Sequence, residues 1–340
     1  MWRCQISSIS LVGAIDNVGF FAANFKNFSY RSIERVNFSE DHSFGKVSDS
    51  ALSLLKERFT KIKINDSGAK IPKEEVVNFY SNANYAIAGL ENLDRENLEC
   101  LPNLKIISRV GIGLDNIDLE YANEKGIKVL NTPDPPTDAV AEMVITAALS
   151  LSRNIFSYND DLHLGRWNKS IGNSLKKKNV FLIGFGRIGQ KVAKHFQYFG
   201  SNVYYFDPLI ENSNFNKISF SEGLKNADII SIHSSSQNQI IGPKEFEKIK
   251  NGAIILNSSR GFHIDEVELA KSLKLGKIKS CWIDVFEDEP YSGDLINYDN
   301  AILSPHISTY TEACRLDMEL EAVNNLLREI SRWRKKIKKR

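Results

Sequence analysis

The chain has 340 residues, 42% hydrophobic and 25% charged, with 20 glycines and 9 prolines. Such a composition excludes a disordered, collagenous or repeat-built protein, and the length suits about two domains. Formal net charge is +2, but seven lysines and arginines crowd the last nine residues, so the rest of the chain is acidic and unsuited to coating nucleic acid.

Cys4, Cys100, Cys281 and Cys314 are far apart and form no CxxC pair. This argues for a reducing, cytoplasmic setting and against a disulfide framework or metal site. No run of 18 apolar residues occurs, so no membrane span is expected. Residues 9–23 are fairly apolar after Arg3, as in a signal peptide, but Asp16 and Asn17 interrupt the run. Residues 1–34 show no period and read as an extension.

From Val36 the pattern becomes α/β. Apolar residues at helical spacing cover 50–59, a short strand covers 62–64, and Pro72 followed by two acids opens a helix. A buried strand at 85–89, a short helix at 92–98 and strands at 105–110 and 127–130 follow. Strand and helix in alternation predict a parallel sheet with both faces covered. Pro133, Pro135 and Pro136 mark a boundary. The helix predicted over 139–152 is apolar all round and suggests an interface, hence a homodimer. Residues 159–178 read as loop. A second α/β series has strands at 180–183, 203–206, 229–232, 253–256, 280–283 and 302–303, a doubly wound arrangement. A long amphipathic helix over 311–333 closes the chain. The basic tail after it reads as a solvated helix end that complements the helix dipole.

Gly184-Phe185-Gly186-Arg187-Ile188-Gly189 is a G-x-G-x-x-G between a strand and a helix. Alone the pattern is weak. In this context the first glycine allows the tight turn, the second lets backbone approach a pyrophosphate, and the third lets helix pack on strand. The helix N-terminus offers N–H groups to phosphates. Asp207 ends the next strand, where an acid accepts from the adenosine ribose and repels a 2′-phosphate, which points to NAD over NADP.

Further reactive side chains follow later strands: Ser258, Ser259 and Arg260; then Asp284 and Glu289; then His306. Positions just past strand C-termini face the ligand crevice of a doubly wound sheet. Any one of them has a bland reading, such as a surface ion pair or a strand-end cap. Together they suggest an acid–base site.

The stretches SRVGIGLDNID (108–118), GIKVLNTP (126–133), DAVAE (138–142), GFGRIGQKVA (184–193), FDP (206–208), NSSRG (257–261), IDVFEDEP (283–290) and SPHISTYTEA (304–313) resemble the D-isomer-specific 2-hydroxyacid dehydrogenase family, in family order. The first and last are closest to its phosphoglycerate dehydrogenase-like members. The resemblance implies two doubly wound α/β domains. A Rossmann NAD-binding domain, 135–306, is inserted in a flavodoxin-like substrate-binding domain, 35–134 with 307–340. Substrate would lie in a cleft that closes to exclude water.

It further implies hydride exchange between NAD and a small D-2-hydroxy or 2-oxo acid. Arg260 would bind the acid, His306 would carry the proton, and Glu289 would hydrogen-bond that imidazole and favour its protonated form. Backbone N–H groups of Val110 and Gly111 would hold the carboxylate. Arg109 beside them would take a phosphate or pair with a local acid. Asp284 and the backbone at Ser258 would hold the nicotinamide carboxamide. Arg187, Ile188, Pro208, His233, Ser259 and Ser308 complete the expected cofactor contacts.

The chain departs from the family in two places. After His233 the usual proline is missing and the loop is about two residues short, and Glu289 and His306 are only 17 residues apart. No C-terminal regulatory domain follows, so feedback through one is not expected. Competing functions are a non-catalytic dinucleotide sensor and formate or phosphite oxidation on the same fold.

Overall fold

Two all-parallel sheets organise the chain, each in its own unit. The computed structural model describes residues 35–38, 47–65, 67, 69–212 and 214–337. The N-terminal extension and the end of the basic tail lie outside these. Unit 1 comprises Met1–Pro136 and Tyr310–Arg340, and unit 2 comprises Thr137–Thr309.

Unit 1 runs β1 (Val36–Phe38), α1 (Ser50–Lys56), β2 (Ile62–Ile64), α2 (Lys73–Tyr80), β3 (Tyr85–Ala88), α3 (Arg95–Glu99), β4 (Ile106–Arg109), α4 (Leu119–Glu124) and β5 (Lys128–Leu130). Its sheet has the order β2-β1-β3-β4-β5, the flavodoxin-like 2-1-3-4-5. β3 is buried at every position, as a parallel strand covered on both faces must be. The Asp94 and Asp118 side chains cap α3 and α4 by accepting from Asn97 N and Tyr121 N. The chain returns to this unit at its end as α11 (Glu312–Ile337). Met318, Ala322, Val323, Leu326 and Ile330 form its buried stripe. The Ala322 carbonyl accepts from Ser108 Oγ on β4 at 2.6 Å, which fixes the helix against the sheet.

Unit 2 begins with α5 (Pro136–Arg153) and α6 (Ile155–His163). It continues with β6 (Asn179–Ile183), α7 (Arg187–Tyr198), β7 (Asn202–Phe206), β8 (Asn216–Lys217), α8 (Phe220–Asn226), β9 (Ile229–Ile232), α9 (Pro243–Lys248), β10 (Ala253–Asn257), α10 (Glu266–Lys274), β11 (Ile278–Ile283) and β12 (Ala301–Leu303). Its sheet order is β12-β11-β10-β9-β6-β7-β8. From β6 the chain builds outward through β7 and β8, then crosses to the other side at β9. This reversal opens a crevice at the strand C-termini between β6 and β9. Separate apolar clusters cover the two faces of the sheet.

Three sequence expectations change. Pro136 is the first residue of α5, since proline fits a first helical turn, whose N–H needs no partner. The apolar residues of α5, among them Val140, Val144, Ala148 and Leu151, pack in the unit 2 core with Val180, Val192 and Phe196, so they do not form an interface face. Residues 155–163, read as partly loop, form α6. It has no buried residue, and Ile155, Phe156 and Leu162 on it are exposed.

Candidate active site

Gly184 follows β6 directly with φ +94°, a left-handed conformation that glycine takes without strain. A methyl built on it would lie 2.5 Å from the His233 carbonyl oxygen, and one on Gly189 would lie 2.4 Å from the Gly184 carbonyl oxygen. A methyl on Gly186 would meet nothing. The outer glycines thus let backbone close up, and the middle one faces open space where a phosphate can approach. Gly186 is also the N-cap of α7, with no side-chain cap hydrogen bond there, unlike α3, α4 and α10. The N-terminal N–H groups and their dipole are thereby left for an anion.

Asp207 sits just past β7. Oδ2 accepts from Phe185 N at 2.8 Å, and Oδ1 accepts from Leu209 N and Ile210 N at 2.8 and 2.9 Å. Burial by itself would raise this carboxyl's pKa, but the three N–H donors hold it below the usual carboxylate value. Besides offering acceptor lone pairs to a ribose, the side chain therefore ties the glycine turn to residues 209–210. Arg187 and Pro208 are exposed and Ile188 is half-buried. His233 backs the glycine turn with its main chain, and its Nε2 is 2.9 Å from Ser231 Oγ. The residue as a whole keeps some exposure, but burial of the ring pushes its pKa down to about 3.

The loops after β10, β11 and β12 are adjacent because their strands are. A methyl on Gly261 would lie 1.9 Å from the Phe286 carbonyl carbon, so the turn carrying Arg260 packs onto the backbone leading to Glu289. Arg260 is half-buried, and its Nη1 donates to Ser259 O at 2.6 Å. Glu289 Oε1 accepts from Phe286 N at 3.1 Å, and Oε2 is 3.0 Å from His306 Nδ1. That pairing engages Nδ1 and leaves Nε2 as the nitrogen that can serve a reactant. The imidazole side chain is 45% exposed and thus open to one.

His306 has φ +54°, an unfavourable conformation for a residue with a Cβ. It is held there from both sides. Its N–H bonds Ser304 O, and Asp284 accepts from Ser304 Oγ, Ile307 N, Ser308 N and Ser308 Oγ. Trp282 Nε1 donates to Ser304 Oγ at 2.9 Å and extends the network into the core. Strain of this kind persists only where the surroundings over-determine it.

Asp284 is fully buried, and its oxygens accept from the 304–308 segment, which fixes the chain on either side of His306. Ser308 is one of these donors, through both N and Oγ. In unit 1, Val110 N donates to Ala88 O and Gly111 N to Thr132 Oγ1. That loop also presents Arg109, whose Nη1 bonds Val110 O at 2.8 Å and lies against Gly111, at φ +135°. Trp282, Ser304 and the Phe286 N–H were missed, because strand and loop residues of ordinary type carry no motif.

The residues present fit a dinucleotide. The glycine turn has room at Gly186, α7 is uncapped, and the Ser258 hydroxyl is buried without a hydrogen-bond partner, as a group awaiting one would be. Among the described residues no cluster of His, Cys, Asp or Glu could hold a metal ion, and no single helix is long and apolar enough to cross a membrane.

Residues 145–308 match the D-isomer specific 2-hydroxyacid dehydrogenase, NAD binding domain. A glyoxylate reductase of Thermococcus litoralis is 36% identical over 70% of this chain and 77% of its own. A hydroxypyruvate reductase of Thermotoga maritima is 38% identical over 68% and 80%. A D-3-phosphoglycerate dehydrogenase of Archaeoglobus fulgidus is 30% identical over 80% and 54%. The crystal structure of a glyoxylate reductase from Paecilomyes thermophila superposes with a TM-score of 0.77 at 28% identity, covering 86% of this chain and 94% of that one. With a glycine turn shaped for a dinucleotide after β6 and an imidazole paired to a carboxylate after β12 and β11 of the same sheet, the chain belongs to the D-isomer specific 2-hydroxyacid dehydrogenase family.

Proposed function

We propose that this NAD-dependent dehydrogenase reduces a small, unphosphorylated 2-oxo acid, of the size of glyoxylate or hydroxypyruvate. The observation that carries the reading is the Glu289–His306 pair beside the turn of Arg260, an oriented proton carrier next to a planar cation. Relatives named for glyoxylate and hydroxypyruvate support this reading.

Arg260 engages the carboxylate and keto oxygen through its planar fork. His306 donates the Nε2 proton to that oxygen as the carbon is reduced, and takes it back in the oxidative direction. Glu289 accepts from Nδ1–H and so fixes which ring nitrogen faces the substrate. NADH, when bound, supplies the hydride. Gly184, Gly186, Gly189 and the first turn of α7 would hold its pyrophosphate, Asp207 its ribose, and the Ser258 hydroxyl its carboxamide.

We place the enzyme in the cytoplasm, where the free thiols of Cys100, Cys281 and Cys314 suit a reducing medium. We further propose a homodimer formed through α6 and the segment after it, where Ile155, Phe156, Leu162, Leu164, Trp167 and Ile171 are exposed. A monomer by sedimentation at micromolar concentration would refute the dimer.

The functional test is an NADH-oxidation screen of glyoxylate, hydroxypyruvate, pyruvate, 2-ketoisocaproate and 3-phosphohydroxypyruvate. The expected order places glyoxylate or hydroxypyruvate first in kcat/KM. A preference for the phosphorylated acid overturns the size assignment. Tight NADH binding without turnover of any acid would point to a sensor, and NAD reduction by formate or phosphite to the other oxidation.

A further inference from the structure

We propose that His263 is a positioning residue that couples the cofactor-side loop after β9 to the substrate-binding Arg260. The proposal rests on the assignment of Arg260 to the substrate.

His263 is fully buried in the 3-10 turn Gly261–His263, immediately after Arg260. A buried imidazole has to find partners for both ring nitrogens. Here the two partners belong to different loops. Nε2 is 2.9 Å from Ser236 O. A carbonyl can only accept, so Nε2 carries the hydrogen. Nδ1 is 2.8 Å from Ser259 Oγ.

Each partner leads to a different part of the site. Ser259 precedes Arg260, and its carbonyl accepts from the Arg260 guanidinium at 2.6 Å. A shift at Ser259 therefore moves the fork directly. The same turn is braced by Asn257, whose Nδ2 donates to Arg260 O and whose Oδ1 accepts from Ser259 N. Ser236 belongs to the loop that starts at His233, whose carbonyl abuts Gly184 of the dinucleotide turn. The main chain of His263 ties in the far end of that loop, since His263 O accepts from Ile240 N and Ile241 N at 3.0 and 2.9 Å. One ring thus bridges the backing of the glycine turn and the anchor of Arg260.

Conservative substitutions separate the two halves. His263→Gln can keep an N–H near the Nε2 position but offers nothing to Ser259. His263→Asn can keep a polar group near Nδ1 but does not reach Ser236. His263→Leu removes both bonds at similar bulk. With the full chain, NADH affinity is read by fluorescence titration, and KM and kcat are read with glyoxylate. Loss of one hydrogen bond predicts a change of roughly three- to tenfold. For His263→Gln the rise is expected in the glyoxylate KM, with the NADH Kd within about twofold of wild type. For His263→Asn the rise is expected in the NADH Kd, with KM nearly unchanged. His263→Leu should raise both.

A merely structural role would move both constants together with Tm in every variant, and that outcome overturns the proposal. So does an absence of change in the Gln and Asn variants. If His263→Leu fails to fold, these two variants still decide. If wild type turns over no 2-oxo acid, the functional reading falls, while the NADH arm, rising in Asn and not in Gln, still decides whether His263 couples the loops.

Discussion

On the β6–β7 side of the larger sheet the binding surface is backbone. The glycine turn, the uncapped start of α7 and the N–H groups around Asp207 offer shape and dipoles. On the β10–β12 side the surface is side chains, each held by a neighbour: Arg260 by Ser259, Glu289 by Phe286 N, His306 by Glu289 and, through its strained backbone, by Asp284. A cofactor that carries its own reactivity needs only to be cradled. A substrate that must gain a proton needs a group fixed in orientation. The two sides should therefore fail independently, one in affinity and the other in rate.

The largest effect is expected on the rate side. His306→Gln removes the proton carrier and should lower kcat by about 10²–10⁴-fold, the usual worth of general acid–base catalysis. NADH affinity should stay within error of wild type by titration. Turnover near wild type would show that the proton comes from elsewhere.

Next is a break confined to the cradle. A methyl at Gly186 meets no protein atom within 4 Å, so Gly186→Val should fold with a Tm close to wild type and fill the space meant for phosphate. NADH affinity should fall about tenfold or more, equivalent to roughly 1.4 kcal/mol. Extrapolated to saturating NADH, kcat should hold. Unaltered NADH binding would move the pyrophosphate away from this turn.

A smaller loss follows from Glu289→Gln. Its single acceptor oxygen can serve Phe286 N or His306 Nδ1–H, but not both. One charge-assisted hydrogen bond, ~1.5 kcal/mol, corresponds to about tenfold in kcat. The glyoxylate KM should change little. A loss as deep as that of His306→Gln would mean that Glu289 itself carries the proton.

A separate effect is on stability and concerns the wall shared by the glycine turn. The folded pKa of His233 is depressed from 6.5 to about 3 by burial. Below 6.5 the unfolded chain takes up a proton that the folded ring refuses, so stability is whole above 6.5 and is lost as pH falls toward 3. Asp94, Asp161, Asp207 and Asp228 are held below the ordinary value of 3.8 and lose their contribution only beneath it. Tm should therefore decline between pH 6.5 and 3.8 in wild type, and less steeply in His233→Asn. Parallel curves would place the imidazole in water.

Arg260, Glu289 and His306 were legible before any coordinates because they follow strands that the apolar pattern already located. Asp284 was equally visible, but its hydrogen bonds to the 304–308 segment were not. Whether a carboxylate after a strand faces the crevice or the chain behind it depends on where the 304–308 segment returns, and that is a matter of long-range packing. The same packing sets the partners of the Val110 and Gly111 N–H groups, Ala88 and Thr132, which lie 21 or more residues away.

The sequence by itself determined the alternation of strand and helix, the place of the glycine turn and which polar side chains follow the strands, because these follow from local periodicity and from what glycine, arginine and histidine can do chemically. Tertiary structure alone decided that α5 is core and α6 is exposed, since an apolar helix reads alike whether it is buried by its own chain or by another. It also decided that a buried His263 bridges two loops 23 or more residues apart, a relation that no local spacing encodes.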